Sequence, residues 1–131
     1  MKYWQTKERV PEPFIWYLVE SFGEMAKALL QGVQLPNDAN TRQVVHFDVK
    51  PPNIFLAAPD VNKYPSYPVP KLGDFGLAHA VLEANPGNPK EYRKRGTPTW
   101  VSPECWTASE KVLSPTDIWS FGVVCMSRKW I

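Results

Sequence analysis

His46-Phe47-Asp48-Val49-Lys50-Pro51-Pro52-Asn53 is the stretch on which the reading of this 131-residue chain turns. Just before it, Val44-Val45-His46-Phe47 is short and β-branched, the composition of a strand. Just after it, Asn53 to Ala57 reads as a second strand through Ile54, Phe55 and Leu56. Pro51 and Pro52 cannot donate backbone hydrogen bonds, so they mark a loop or an element end. Asp48, Lys50 and Asn53 therefore sit together in a loop between two short strands. Taken alone, three polar loop residues signify no more than a solvated surface.

Working outward, the upstream neighbour is a helix. Ile15, Leu18, Val19, Phe22, Met25, Ala26 and Leu29 recur at the 3.6-residue period and form one apolar face. Pro13 suits the first turn and Gly32 a stop just past the pattern, while Gly23 weakens the middle by roughly 1 kcal/mol relative to alanine. Residues Met1 to Glu12 are polar, with Tyr3 and Trp4 expected to be exposed. Downstream, the proline-rich segment Pro59 to Pro70 reads as a loop insertion, and Lys71-Leu72-Gly73 leads into Asp74-Phe75-Gly76. Glu83 to Lys94 is polar and loop-like. Ser114-Pro115-Thr116-Asp117 has the form of a helix start, with serine as cap, proline first and a carboxylate near the positive end of the dipole. The residues from Ile118 to Met126 are apolar nearly all round, which predicts a helix buried on most sides. Little sequence follows Met126 to cover it, so low solubility is expected.

Composition narrows the class. Apolar residues are 44% and charged residues 21%, with a net charge of +2, so neither disorder nor a nucleic-acid or membrane-surface partner is implied. Proline, at 14 residues, is about twice its ordinary frequency of roughly 5%. Cys105 and Cys125 form no paired motif and read as buried free thiols of a reducing compartment. The N-terminus has no apolar signal core, and no apolar run reaches the roughly 18 residues of a membrane span. The expectation is an intracellular, soluble protein, cytoplasmic or nuclear, of one domain.

Four motifs in order now bear on function. The first is the stretch from His46 to Asn53, which resembles the catalytic loop of eukaryotic-type serine/threonine protein kinases. The resemblance implies that Asp48 orients or deprotonates a substrate hydroxyl, that Lys50 balances the charge of the transferring phosphoryl group, and that Asn53 holds magnesium. Lysine followed by proline resembles the serine/threonine branch more than the tyrosine branch. The second is Asp74-Phe75-Gly76 within Lys71 to Ala78, similar to the family's magnesium-binding segment, with Asp74 as metal and nucleotide ligand. Its distance from Asp48 exceeds the family's usual spacing, and the Pro59 to Pro70 insertion accounts for the excess. The third, Gly96-Thr97-Pro98-Thr99-Trp100-Val101-Ser102-Pro103-Glu104, resembles the end of an activation segment, with Ser102 where alanine is usual. By position Thr97 inherits a bond to Asp48 and Lys50. The fourth, Asp117-Ile118-Trp119-Ser120-Phe121-Gly122, resembles the helix beneath the catalytic loop, whose aspartate bonds the loop backbone. Pro11 to Tyr17 is also similar to kinase-like proteins of filamentous fungi.

The resemblance implies an α+β fold: the C-terminal lobe of a protein kinase, mainly helical, with short β-strands around the catalytic loop, and incomplete. The expected organisation is one partial kinase domain over 1–131, with a catalytic loop at 46–53, the Asp-Phe-Gly segment at 74–76, an activation segment at 74–104 and an anchoring helix at 114–126. The implied function is transfer of the γ-phosphoryl of ATP, with magnesium, to protein serine and threonine hydroxyls. The alternative is a truncated, catalytically silent binding fragment or an incomplete gene model. The chain departs from the family in two ways. Phe47 replaces the arginine that pairs with an activation-loop phosphate, which makes activation by loop phosphorylation unexpected, although Arg93, Lys94 and Arg95 offer other cations. No glycine-rich phosphate-covering loop or strand lysine precedes the helix, so the chain alone is expected to be inactive.

Several residues take the plainer reading. His46 is a packed residue, not a catalytic one, and His79 lies on the surface. The run from Lys90 to Arg95 is solvated charge. Tyr92, Thr97 and Thr99 are candidate phosphorylation sites, although Thr97 is better taken as structural. Trp4, Trp16, Trp100, Trp106 and Trp119 are core or interface aromatics.

Overall fold

The structure, a computed structural model, describes residues 10–34, 36, 39–82, 92, 94–107 and 115–127. The expectations for Tyr3 and Trp4, for the Ser114 cap, for Arg93 and for most of the run between Glu83 and Lys94 lie outside these residues.

The first helix, α1, spans Glu12–Gln31. Pro11 supplies the first acceptor, taking bonds from the N–H groups of Phe14 (2.9 Å) and Ile15 (3.2 Å), and Pro13 sits in the first turn where a missing donor costs nothing. The helix stops at Gly32, whose φ of 69° few side chains tolerate and where a Cβ would overlap the carbonyl oxygen of Arg42. Its buried residues are Phe14, Tyr17, Leu18, Phe22 and Leu29, so the buried face is turned from the expected stripe: Val19 is 45% exposed, while Phe14 and Tyr17 are enclosed. The cause is the proline-rich insertion. Tyr64 stacks on Tyr17 with ring centroids 4.1 Å apart, and Tyr67 packs on Phe14 at 5.5 Å. Glu20 fastens the same contact, accepting from the Tyr64 hydroxyl at 2.8 Å and pairing with Lys63 at 2.6 Å. The insertion is a docked arm, not a free loop.

Among the described residues five short strands follow. β1 (Val33–Gln34), β2 (Thr41–Val45) and β5 (His79–Val81) form one antiparallel sheet in the order β1-β2-β5, with Val45 opposite His79. β3 (Ile54–Ala57) and β4 (Val69–Leu72) form a hairpin that the insertion closes, with Ile54 opposite Leu72. Pro70 was expected in the loop and lies in β4; both strands of a two-stranded ribbon are edges, which tolerate a missing donor. The strand expected at Val44 to Phe47 begins earlier and ends at Val45. It ends there because the N–H groups of His46 and Phe47 bond Asp117 instead of a neighbouring strand, and because Phe47 adopts a left-handed φ of 68°. A short 3-10 turn, Pro51–Asn53, precedes β3.

A further helix, labelled α2, spans Pro115–Met126 and packs on α1, with Phe121 stacked on Phe22 at 4.7 Å. Burying such a ring stabilises by about 1.5–3 kcal/mol. The expectation of burial on most sides fails. Thr116, Asp117, Ser120, Phe121 and Val124 are buried, whereas Ile118, Trp119 and Met126 are 56%, 51% and 82% exposed. The enclosed side is partly polar because it faces the 46–53 loop; the apolar outer side borders an open cleft of about 930 Å³ that Val19 and Leu30 of α1 also line. Trp16 and Trp106 are exposed as well, so of the core or interface placement expected for the tryptophans these two are not in the core. Both cysteines are free; Cys105 is buried and Cys125 only half-buried.

Candidate active site

The site is built on one buried carboxylate. Asp117 Oδ2 accepts from the backbone N–H of His46 at 2.6 Å and Oδ1 from that of Phe47 at 3.0 Å. The aspartate thereby ties the loop to the first turn of α2. Burial pushes its carboxyl up to about 6, against the two backbone bonds that favour the charged form.

His46 is fully buried and ties this loop to the segment before Asp74. Its Nε2 donates to the carbonyl of Gly73 at 3.0 Å, and its Nδ1 accepts the backbone N–H of Asp48 at 3.3 Å. A carbonyl only accepts and an N–H only donates, so the ring is the neutral Nε2–H tautomer. Burial accordingly lowers its pKa, against the bond to Gly73 and the nearby carboxylates, which raise it. The edge of Phe75 completes the packing, 4.7 Å from the imidazole centroid. The histidine is a packed connector, as expected.

Asp48 lies at the centre, 9% exposed. Its Oδ1 accepts from the Thr97 hydroxyl at 2.7 Å. Its Oδ2 pairs with Lys50 Nζ at 2.7 Å and accepts from Asn53 Nδ2 at 3.2 Å. Lys50 Nζ also donates to Thr97 Oγ1 at 3.0 Å, so that hydroxyl donates to the carboxylate while accepting from the lysine. Asn53 Nδ2 reaches the Asp48 carbonyl as well, at 2.9 Å, and pins the backbone of the residue whose side chain it steadies. Burial raises the Asp48 pKa, but Lys50, Thr97 and Asn53 outweigh it and hold the carboxyl below its ordinary value. The 3-10 turn at Pro51–Asn53 brings Asn53 back over Asp48. Thr97 arrives from a turn in which its carbonyl accepts from Trp100 N–H at 2.9 Å and Val101 N–H at 3.1 Å.

Four of the five expected site residues thus meet in one network. Asp74 does not join it. It is exposed, with φ 57°, and its hydrogen bond among the described residues is from Gly76 N–H at 3.4 Å. Among those residues no cluster of three or more histidines, cysteines and carboxylates could cage a metal. Magnesium asks for less: one or two carboxylates or amide oxygens, with phosphates and water. Asn53 fits, because both of its hydrogen bonds use Nδ2 and leave Oδ1 available, and Asp74 fits as an open carboxylate.

Three features escaped the sequence reading. Phe47 is buried and stacked on Tyr92, with centroids 5.5 Å apart at 30°. Arg95, expected to be solvated charge, lies with its guanidinium carbon 5.0 Å from the Tyr92 centroid. Glu104 accepts from the Thr116 hydroxyl at 3.0 Å, joining the segment to α2. An aromatic residue beside a polar loop was the one sequence signal for the first of these. The others depend on partners distant in the chain. His79 is exposed as expected, though its ring also touches Tyr92 at 4.5 Å.

Residues 15–128 match the protein kinase domain family. Human death-associated protein kinase 2 is 37% identical over 101 residues, covering 75% of this chain and 23% of that protein. Receptor-like protein kinase 7 of Arabidopsis thaliana is 30% identical over 103 residues, 79% of this chain and 10% of that protein. The G-type lectin S-receptor-like serine/threonine-protein kinase RLK1 of the same plant is 30% identical over 102 residues, 78% of this chain and 11% of that protein. The chain spans between a tenth and a quarter of the length of these relatives.

Proposed function

The chain belongs to the protein kinase family, and we propose that it is the catalytic floor of a serine/threonine kinase domain, the part of the C-terminal lobe that holds the phosphoryl acceptor. In this reading the catalytic loop is 46–53, the magnesium segment 74–76, the activation segment 74–104 and the anchoring helix 114–126. The observation that carries the proposal is the mutual bonding of Asp48, Lys50, Asn53 and Thr97 around one nearly buried carboxylate.

Each residue has a role that its contacts support. Asp48 is charged at neutral pH and accepts the hydrogen of a serine or threonine hydroxyl, aiming the oxygen at the phosphorus. Because its carboxyl is held below the ordinary range, it orients that hydroxyl first and takes the proton late. Lys50 carries a positive charge beside that oxygen and stabilises the charge spreading over the transferred group. Thr97 sets the distance between the carboxylate and the lysine. Asn53 Oδ1 and Asp74 would hold magnesium with the nucleotide phosphates; when bound, the ion neutralises charge between β- and γ-phosphoryl groups. ATP, magnesium and a protein substrate are the implied ligands. Among the described residues no helix is long and apolar enough to cross a membrane, and we propose an intracellular setting.

Transfer of radiolabelled γ-phosphate to serine and threonine substrates tests the reading, in the protein that contains this chain. Asp48→Ala should lower turnover by about 10²–10⁴. Transfer that survives Asp48→Ala unchanged, or no transfer by the wild type, would sink it.

A further inference from the structure

We infer that Phe47 is a positioning residue, whose ring and carbonyl together set the register in which Thr97 meets Asp48. The inference rests on the reading of Asp48, Lys50 and Thr97 as the transfer site. Phe47 directly precedes Asp48, and its backbone is held in place by the bond from its own N–H to Asp117. Its ring is buried among Val45, Val81, Val101 and Cys105 and stacks on Tyr92. Arg95 covers this pair, its guanidinium carbon 5.0 Å from the Tyr92 centroid and 6.0 Å from that of Phe47.

The chain from Tyr92 to Thr97 is thus held at three successive points. Tyr92 is stacked on the Phe47 ring. Lys94 N–H bonds the carbonyl of Cys105 at 3.0 Å. Gly96 passes so close to the Phe47 carbonyl that any Cβ would overlap its oxygen, and it does so at φ 86°, where glycine is at ease. The next residue is Thr97, and its hydroxyl lies 2.7 Å from Asp48 Oδ1. A hydrogen bond of this kind is largely lost on a displacement of about 1 Å. One residue therefore meets both ends of the short run that delivers Thr97: its ring stacks on Tyr92, and its carbonyl lies so close to Gly96 that it fixes how near that backbone can come.

The chemistry of the grip matters. An aromatic ring attracts the Arg95 guanidinium, and apolar stacking needs no counter-ion. A cation at position 47 would face Arg95 with like charge. The aromatic latch should therefore hold the segment with no anion present.

Amide hydrogen exchange on the whole 131-residue chain tests this without any turnover, so it is independent of the transfer assay: absent transfer would refute the kinase reading, and exchange would still decide the latch. Phe47→Leu keeps apolar bulk and removes the ring. We expect exchange over residues 96–101 to rise at least about fivefold, with α2 amides within about twofold of wild type, and Phe47→Tyr to keep wild-type rates. Where Phe47→Leu does not fold, Tyr92→Leu removes the other half of the stack and should give the same local pattern. In the protein that contains this chain, Phe47→Leu should lower kcat while KM for ATP stays unchanged. Unaltered exchange over 96–101, or equal loosening of α2, would overturn the inference, since either marks Phe47 as ordinary core.

Discussion

Asp48 and Asp74 are both expected to act on the same phosphoryl group, yet the protein treats them differently. Asp48 is nearly buried, and Thr97, Lys50 and Asn53 engage its two side-chain oxygens. Asp74 is exposed, and the hydrogen bond it accepts comes from within its own turn. The first half of the site is assembled by the chain's own contacts. On the proposed reading, the second half takes its final geometry from magnesium and nucleotide. On the same reading the difference matches what each carboxylate would do: Asp48 would fix a neutral hydroxyl, which demands preset geometry, and Asp74 would meet a cation that arrives with the nucleotide phosphates.

The comparison is broken most strongly from below. Asp117→Ala leaves the N–H groups of His46 and Phe47 without partners in a buried place and should cost about 2–4 kcal/mol, seen as a lower midpoint in denaturant. Asp117→Asn should recover part of this, since the amide retains one acceptor and turns its NH₂ toward a donor.

Gly96→Ala comes next. Its Cβ would meet the Phe47 carbonyl, at a φ that alanine disfavours, and should cost about 1–3 kcal/mol. Thermal unfolding checks the size. Loosened exchange at 96–101 would show that the damage starts at the delivery of Thr97.

Asp74→Asn should move stability by less than about 0.5 kcal/mol, because the side chain is exposed and weakly bonded. On the proposed reading it should nevertheless abolish most transfer in any protein that carries this chain within an active kinase domain. A large stability loss would mean that Asp74 is held more firmly than its contacts indicate.

The smallest effect is a slope. The folded Asp117 carboxyl lies near 6 and its ordinary value is 3.8, so folding takes up a proton between them. Its contribution to stability therefore falls as pH rises from about 4 to about 6 and is level above. His46 acts oppositely: its pKa is lowered from 6.5, so its contribution is lost as pH falls below that value. Comparing wild type with Asp117→Asn at each pH cancels the histidine, and the gap between them should narrow as pH rises from 4 to 6.

Much of the preset half was legible in the sequence. Asp48, Lys50, Asn53 and Thr97 converge as the resemblance of two motifs to the kinase family implied, and the short, proline-braced loop and turn let them do so. The bond from Asp117 to the loop was legible in the same way. What stayed hidden depends on side chains that meet across the fold. The face of α1 was misread because Tyr64 and Tyr67 reach it from the insertion. Arg95 looked solvated because its partner Tyr92 is enclosed only once Phe47 is in place. The outer side of α2 reads as apolar in sequence, but periodicity says nothing of whether a neighbour covers it; Trp119 and Met126 stand open. An aromatic dye that binds apolar surface should light up on this chain, and Trp119→Gln should dim it.

Amide exchange with and without saturating Mg-ADP tests the contrast itself most directly. The account predicts protection gained at Asp74 to Leu77 while the amides of His46 to Asn53, already held, change little. Equal gains in both segments, or a gain at the 46–53 loop alone, would contradict it.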